Sequence, residues 1–312
     1  MTTSPTAAVV AGVDGSLQSM HAVDWAAREA VARRCPLRIV HAFLWPLLNV
    51  PIGPPAGCPP DAGLANAAED ILADATDRAR RAAPALEISA DLPVCSPAAA
   101  LIEASHDAGL VVVGHRGLGG FTGLLVGSVG VQTAAHAACP VIVVRNSEPS
   151  KPSESGPATG RVLVGVDSSD HSRLAVDFAF THAALHGLGL VAVHAHQWPP
   201  FSASSDARIA SRQPDDAQAE PTQLLNETLA GYRDTYPDVP VQQKVVQGRP
   251  SAVLVAESAG AALTVVGSRG RGGFTGLLLG STSQNVLHHA TGPVAIVRAH
   301  PSRTGNDITQ PR

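Results

Sequence analysis

A glycine-rich segment from Gly114 to Ser128, GHRGLGGFTGLLVGS, returns as GSRGRGGFTGLLLGS from Gly267 to Ser281, 153 positions later. The same offset carries Asp14 onto Asp167, Trp25 onto Phe178, His41 onto His194, Pro97 onto Pro250, Pro140 onto Pro293 and Arg145 onto Arg298. No gap is needed anywhere. Register kept over a whole chain marks a tandem duplication, so the fold must be one unit of about 150 residues built twice. The polar stretch NSEPSKPSESGPATG lacks apolar periodicity and reads as the connection. The expected organisation is a first domain over 1–146, a linker over 147–160, a second domain over 161–300 and a disordered tail over 301–312.

Within the first unit, apolar runs at 7–14, 37–43, 86–94, 110–114 and 140–145 read as strands. Amphipathic stretches near 18–34, 65–83, 97–108 and 128–138 alternate with them as helices. Strands that are apolar throughout belong to a sheet covered on both faces, hence to parallel strands with helical crossovers. Right-handed crossovers make that sheet doubly wound and Rossmann-like. Ser16 or Ser19 is expected to open the first helix, and Ser96-Pro97 the third. The proline-rich segment 44–63 is a poor helix and reads as a long connection, either a lid or interaction surface or a tolerated insertion. The fifth strand, PVIVVR in one copy and PVAIVR in the other, is an apolar edge and should pair with another domain or subunit.

A net charge of −4 and a pI near 6.3 argue against a nucleic-acid surface, which needs a clustered basic stripe. The only lysines are Lys151 and Lys244. All four cysteines (Cys35, Cys58, Cys95 and Cys139) fall in the first half without a C-x-x-C pair, a distribution that favours a reducing compartment. The N-terminus lacks a basic region before its short apolar run, and no apolar stretch approaches the roughly 18 residues that span a bilayer. The expectation is a cytoplasmic protein without membrane insertion.

In an open parallel sheet, ligands bind beyond the carboxyl ends of the strands, where the winding reverses. If the first and fourth strands are neighbours, Asp14 and the Gly114 loop share one crevice, as do Asp167 and the Gly267 loop. Each aspartate can accept from ribose hydroxyls, hold Mg²⁺ through water, or simply organise a turn. Glycine there answers either a positive φ or a close approach, and the density favours a backbone lying against something. Gly127-Ser128 and Gly280-Ser281 open helices whose unpaired N–H groups favour an anion. Their serines suit a phosphate contact or an N-cap.

Neither lysine lies near a loop and there is no G-x-x-x-x-G-K-[ST], which excludes a P-loop NTPase; G-x-G-x-x-G is also missing after the first strand. Arg116, Arg269 and Arg271 can supply charge, though solvated arginines are the commoner outcome. His194-x-His196 and His288-His289 lack an accompanying carboxylate or cysteine cluster, so no metal site is expected. His41 and His194 read as crevice-wall histidines bonded to backbone. No catalytic Ser/His/Asp set is shared by the halves.

The pattern G-x2-G-x9-G-S after the fourth strand, with an aspartate ending the first, resembles the universal stress protein family in its tandem, actinobacterial-like form. The resemblance covers nearly the whole chain. It implies five-stranded parallel sheets of order 3-2-1-4-5 and an ATP-binding site in each half. Gly12 and Asp14 would lie at ribose and adenine, with backbone contacts to adenine from His41 and Ala42. Gly114, His115, Arg116, Gly117, Gly127, Ser128 and Val129 would surround ribose and phosphates. In the second half these become Gly165, Asp167, His194, Ala195, Gly267, Ser268, Arg269, Gly270, Gly280, Ser281 and Thr282.

The copies differ in two places. A hydroxyl two residues beyond Gly-Ser is present as Ser283 but replaced by Gly130, and the Gly248-Arg249-Pro250 turn becomes Cys95-Ser96-Pro97. The second site is therefore expected to bind more strongly. The implied function is an ATP-binding regulator of stress or growth adaptation, with Mg²⁺ accompanying the nucleotide, a homodimer through edge strands and a regulatory protein partner. A slow ATPase or nucleotidyl-transfer enzyme, and a nucleotide-free scaffold, are the alternatives.

Overall fold

A computed structural model describes residues 7–42, 62–118, 126–145, 158–197, 214–270 and 278–298. The segment 44–61, most of the linker, the tail, Arg271 and the middles of both glycine loops lie outside the described residues. The first half runs β1 (Ala8–Gly12), α1 (Leu17–Arg33), β2 (Leu37–Val40), α2 (Ala62–Ala82), β3 (Ile88–Asp91), α3 (Pro97–Ala104), β4 (Ala108–Gly114), α4 (Ser128–His136) and β5 (Val141–Val144). The second repeats it as β6 (Val162–Gly165), α5 (Asp170–His186), β7 (Leu190–His196), α6 (Pro214–Thr235), β8 (Val241–Gln247), α7 (Pro250–Glu257), β9 (Leu263–Gly267), α8 (Ser281–His289) and β10 (Val294–Val297).

Local chemistry sets the helix ends. Ser16 caps α1 by accepting from the Ser19 N–H, Ser169 does the same for α5 with Ser172, and Ser96 caps α3 ahead of Pro97. α1 stops at Arg34 in the left-handed region, φ 54°, and α5 stops at its repeat partner Gly187, φ 63°. Only the second copy has the residue that adopts this conformation without strain.

Each half forms a parallel sheet, β3-β2-β1-β4-β5 and β10-β9-β6-β7-β8. The expected order 3-2-1-4-5 is thus realised. β5 and β10 then pair antiparallel, Val143 opposite Val294 and Val141 opposite Ile296, joining the halves into one ten-stranded sheet. The apolar fifth-strand edge is satisfied by the other domain and is closed to a second copy. The outer strands of the sheet are β3 and β8.

The helices divide by face. One core packs α1, α2, α5 and α6 against the sheet, with Ala26, Ala27, Leu37, Phe180 and Leu225 fully buried. The other lies under α3, α4, α7 and α8, around Val111, Val141, Leu163 and Ile296. Both cores cross the β5–β10 junction, because each contains side chains from both halves. Cys35, Cys95 and Cys139 are unbridged. No helix among the described residues is long and apolar enough to cross a membrane.

Candidate functional site

Because β5 opposes β10, the carboxyl ends of the two parallel sheets face opposite ends of the molecule. Each half therefore has its own crevice. In the second half the crevice is a cavity of about 490 Å³. It is lined by Gly165, Val166, Asp167, Ser172, Val193, Ala195, Pro250, Leu254, Val266, Gly267, Arg269, Gly270, Gly280, Ser281, Thr282 and Ser283. Of the second-half residues expected around the nucleotide, all line it except His194 and Ser268.

Those two stand behind the wall. His194 is buried, and its Nδ1–H donates to the Val166 carbonyl at 2.7 Å; His41 does the same to Val13 at 2.8 Å. The imidazoles thus tie neighbouring strands at their carboxyl ends, the backbone-bonded role expected of them. Ser268 is fully buried, and its hydroxyl lacks a partner among the described residues.

Each aspartate builds a turn and also faces the loop. Oδ1 of Asp167 accepts from the Ser169 N–H at 2.8 Å and from its hydroxyl at 2.5 Å; Oδ1 of Asp14 accepts from the Ser16 N–H at 3.0 Å. Oδ2 points the other way. A Cβ added at Gly117 would sit 2.1 Å from Asp14 Oδ2, and one at Gly270 would sit 2.6 Å from Asp167 Oδ2.

Other glycines common to both copies answer the same need for space. At Gly114 a Cβ would meet the Gln18 carbonyl oxygen at 2.8 Å, and at Gly267 the His171 carbonyl oxygen at 2.7 Å. Gly12 and Gly165 sit against Leu101 and Leu254, at 2.9 and 2.8 Å. None of these six glycines has a positive φ. Close approach, not left-handed backbone, explains them.

The serines correct the sequence reading. The N-cap residues of α4 and α8 are Gly127 and Gly280, neither with a side-chain cap, so Ser128 and Ser281 lie one position inside their helices. The first-turn N–H groups are left without a capping side chain, an arrangement that favours an anion. Ser283 does not present a proton to the cavity: its hydroxyl donates to the Gly267 carbonyl at 2.6 Å. The first copy forgoes that bond at Gly130, which packs near Val126. This difference between the copies is a matter of helix-to-strand bonding.

Charge gathers at the loops. Arg116 and Arg269 are half-buried, not solvated as expected, and the Nε of each lacks a partner among the described residues. Burial pulls Arg145 below the usual guanidinium range, with Arg116 adding repulsion; burial and Arg269 do the same to Arg298. Burial and a nearby arginine also hold His115 and His171 below the ordinary imidazole range. Arg269 lines the second crevice and Arg116 holds the same place in the first loop, and no ion pair among the described residues neutralises either. Arg145 turns to the other half, where its guanidinium donates to the Leu287 and His288 carbonyls.

Sequence reasoning missed Ser172, Leu254, Val166, Val193 and Val266, while Pro250 of the Gly248-Arg249-Pro250 turn does line the cavity. Ser172 had a legible signal in the S-x-x-S capping pair, since its hydroxyl accepts from the Asp167 N–H at 2.8 Å. The apolar side chains look like ordinary core until the topology places them on the crevice wall.

A doubly wound sheet used twice, with a glycine loop at each switch point, defines a tandem α/β architecture. The chain belongs to the universal stress protein family, which matches residues 6–145 and again 159–298. It is 40% identical over 298 residues to Universal stress protein Rv2005c of Mycobacterium tuberculosis, covering 93% of this chain and 96% of the relative. Universal stress protein Rv2623 of the same organism is 37% identical over 308 residues, with the same coverage. Among solved structures, a universal stress protein from Archaeoglobus fulgidus superposes with a TM-score of 0.65 at 18% identity, covering 94% of this chain and 98% of that one.

Proposed function

We propose that this chain is an ATP-binding regulator, holding nucleotide in the crevices rather than turning it over rapidly. The observation that carries the reading is the coincidence, on one cavity, of the uncapped start of α8 with an Arg269 Nε that has no partner among the described residues. Oriented N–H groups, a helix N-terminus and an unneutralised guanidinium suit a chain of phosphates. Val193 and Ala195 offer an apolar wall for a base, and Asp167 stands where ribose hydroxyls can donate. About 490 Å³ lies within the range of roughly 300–1,000 Å³ usual for small-molecule sites. Mg²⁺ would be held by phosphate oxygens and waters facing Asp14 or Asp167.

Rapid hydrolysis finds no support in the crevice lining. Lys244 lies on β8 and pairs with Glu257 at 2.7 Å, so it supplies no charge to a transferring phosphoryl group. The regulatory reading places the protein in the cytoplasm with a protein partner that senses the nucleotide state. A homodimer built by edge-strand pairing would use β3 or β8, the outer strands of the sheet.

The test is the small-molecule content of purified full-length protein. Denaturation should release adenine nucleotide, and calorimetry on stripped protein should show saturable ATP binding weakened at least tenfold by Asp14→Ala plus Asp167→Ala. Absence of both released nucleotide and measurable binding sinks the proposal. Multiple-turnover ADP release abolished by the double variant would instead favour the enzyme.

A further inference from the structure

Away from both crevices, α1 and α5 pack side by side near the β5–β10 junction. Three metal-ligating side chains meet there. The Glu29 side chain on α1 is 1% exposed, His182 on α5 is 5% exposed, and His186, one turn on, is 27% exposed. Glu29 Oε1 lies 3.3 Å from His182 Nδ1, and Oε2 lies 2.8 Å from His186 Nε2. One donor atom from each residue can be chosen so that all three lie within 4.8 Å of one another. Residues four apart on a helix share a face, so both imidazoles reach the same carboxylate. Trp25 and Phe178 stack on the His182 ring at 5.8 and 6.2 Å and hold its orientation.

We propose that Glu29, His182 and His186 form a binding site for a divalent transition-metal cation of the Zn²⁺ type, with water as fourth ligand, bridging the two halves of the chain. A tetrahedral Zn²⁺ with bonds of roughly 2.0–2.2 Å holds its donors about 3.4 Å apart, a spacing that small side-chain rotations reach from the observed one. Two imidazoles and one carboxylate suit Zn²⁺ or Co²⁺, whereas Mg²⁺ and Ca²⁺ demand oxygen. The buried Glu29 and His182 form the floor, and the partly exposed His186 is the ligand on the solvent side, where the water would bind.

One group opposes the cation. Arg33 Nε donates to Glu29 Oε1 at 2.6 Å, leaving Oε2 as the metal's oxygen. Its guanidinium is held over the Phe178 ring at 5.4 Å. That positive charge weakens the site, so Arg33→Ala should bind metal more tightly. A pair of unrelated surface histidines would not respond this way.

The experiment uses tag-free full-length protein stripped with EDTA and titrated with ZnCl2 by calorimetry, with Co²⁺ absorption as a second readout. The expected result is one ion per chain at micromolar affinity or better, with intense visible Co²⁺ bands of four-coordinate geometry. Glu29→Gln, His182→Ala and His186→Ala should each weaken binding at least tenfold, and Arg33→Ala should strengthen it. Because His186 is partly exposed, His186→Ala keeps the fold, as circular dichroism will check. The proposal is overturned if wild-type protein shows no saturable Zn²⁺ binding, or if folded His186→Ala binds with unchanged affinity and retains the Co²⁺ bands.

Discussion

Asp14, just beyond β1, accepts a hydrogen bond at 2.8 Å from the backbone N–H of Leu118, 104 residues along the chain. That bond closes the first glycine loop onto the strand-1 turn, and Gly117 is the residue that lets the two come together. Gly270 stands in the same relation to Asp167. The atom obstructing a methyl group at either position is the tip of a side chain, which can swing away.

Gly270→Ala should therefore cost about 0.5 kcal/mol of stability or less, while turning the Asp167 carboxylate away from the crevice. ATP affinity at that site is expected to fall about tenfold, the loss of one hydrogen-bonding partner of a charged group. Calorimetry alongside thermal unfolding reads both quantities. Unchanged affinity would separate the aspartate from the ligand.

Gly114→Ala and Gly267→Ala should behave in the opposite way. Their methyl groups would collide with the main chain of the first turn of α1 or α5, which cannot rotate aside. Overpacking of this kind costs about 1–3 kcal/mol, visible as a lower urea midpoint even without ligand. Equal stability of Gly267→Ala and Gly270→Ala would contradict the assignment.

Arg34→Gly should stabilise the protein. The exposed Arg34 sits at φ 54°, where its repeat partner is already glycine. Relief of left-handed strain outweighs the greater unfolded-state freedom of glycine by about 0.5–1 kcal/mol. The reverse change, Gly187→Arg, should lose a similar amount in the same denaturation assay.

Acid should loosen the contact between α1 and α5. Burial pushes the Glu29 carboxyl up, but hydrogen bonds from His182 and His186 and the charges of His182 and Arg33 outweigh it, holding the group well below the usual carboxylate range. Burial keeps His182 below its ordinary value of 6.5, although Glu29 pulls the other way. Both groups take up protons less readily folded than unfolded. The stability they confer is therefore present at neutral pH and lost as pH falls, first below about 6.5 and then below about 4.5. In EDTA-treated protein, Glu29→Ala should cost about 3–5 kcal/mol at pH 7.5, because Arg33 and both imidazoles lose their shared acceptor. Glu29→Gln should flatten the acid limb of the stability curve; a limb as steep as wild type would place the acid sensitivity elsewhere.

The repeat offset and the apolar runs made the doubly wound units legible before any coordinates, and the capping serines Ser16 and Ser96 could be read because a cap is a contact over three residues. The crevice was legible wherever glycine and aspartate recur at fixed spacing. Its apolar wall was not, since Leu254 and Val193 become a wall only once α7 and β7 are placed. Ser283 lines the cavity, but its bond to the Gly267 carbonyl was not legible, because a serine's hydroxyl partner is set by the fold rather than by the sequence around it. The partner of β5 was open for a similar reason: an apolar edge specifies burial, not who buries it. His182-x3-His186 was a readable helical spacing, but its carboxylate comes from Glu29, one whole repeat away.

That last separation has an evolutionary meaning. Glu29 and His182 differ by 153 positions, so they are one ancestral site facing itself across the junction. In a symmetric dimer of single units, the two copies must carry the same residue, and two glutamates buried together would repel. Covalent linkage lifts that constraint. With the β5–β10 pairing inside one polypeptide, each side of the seam is free to differ, and here an acid faces a base.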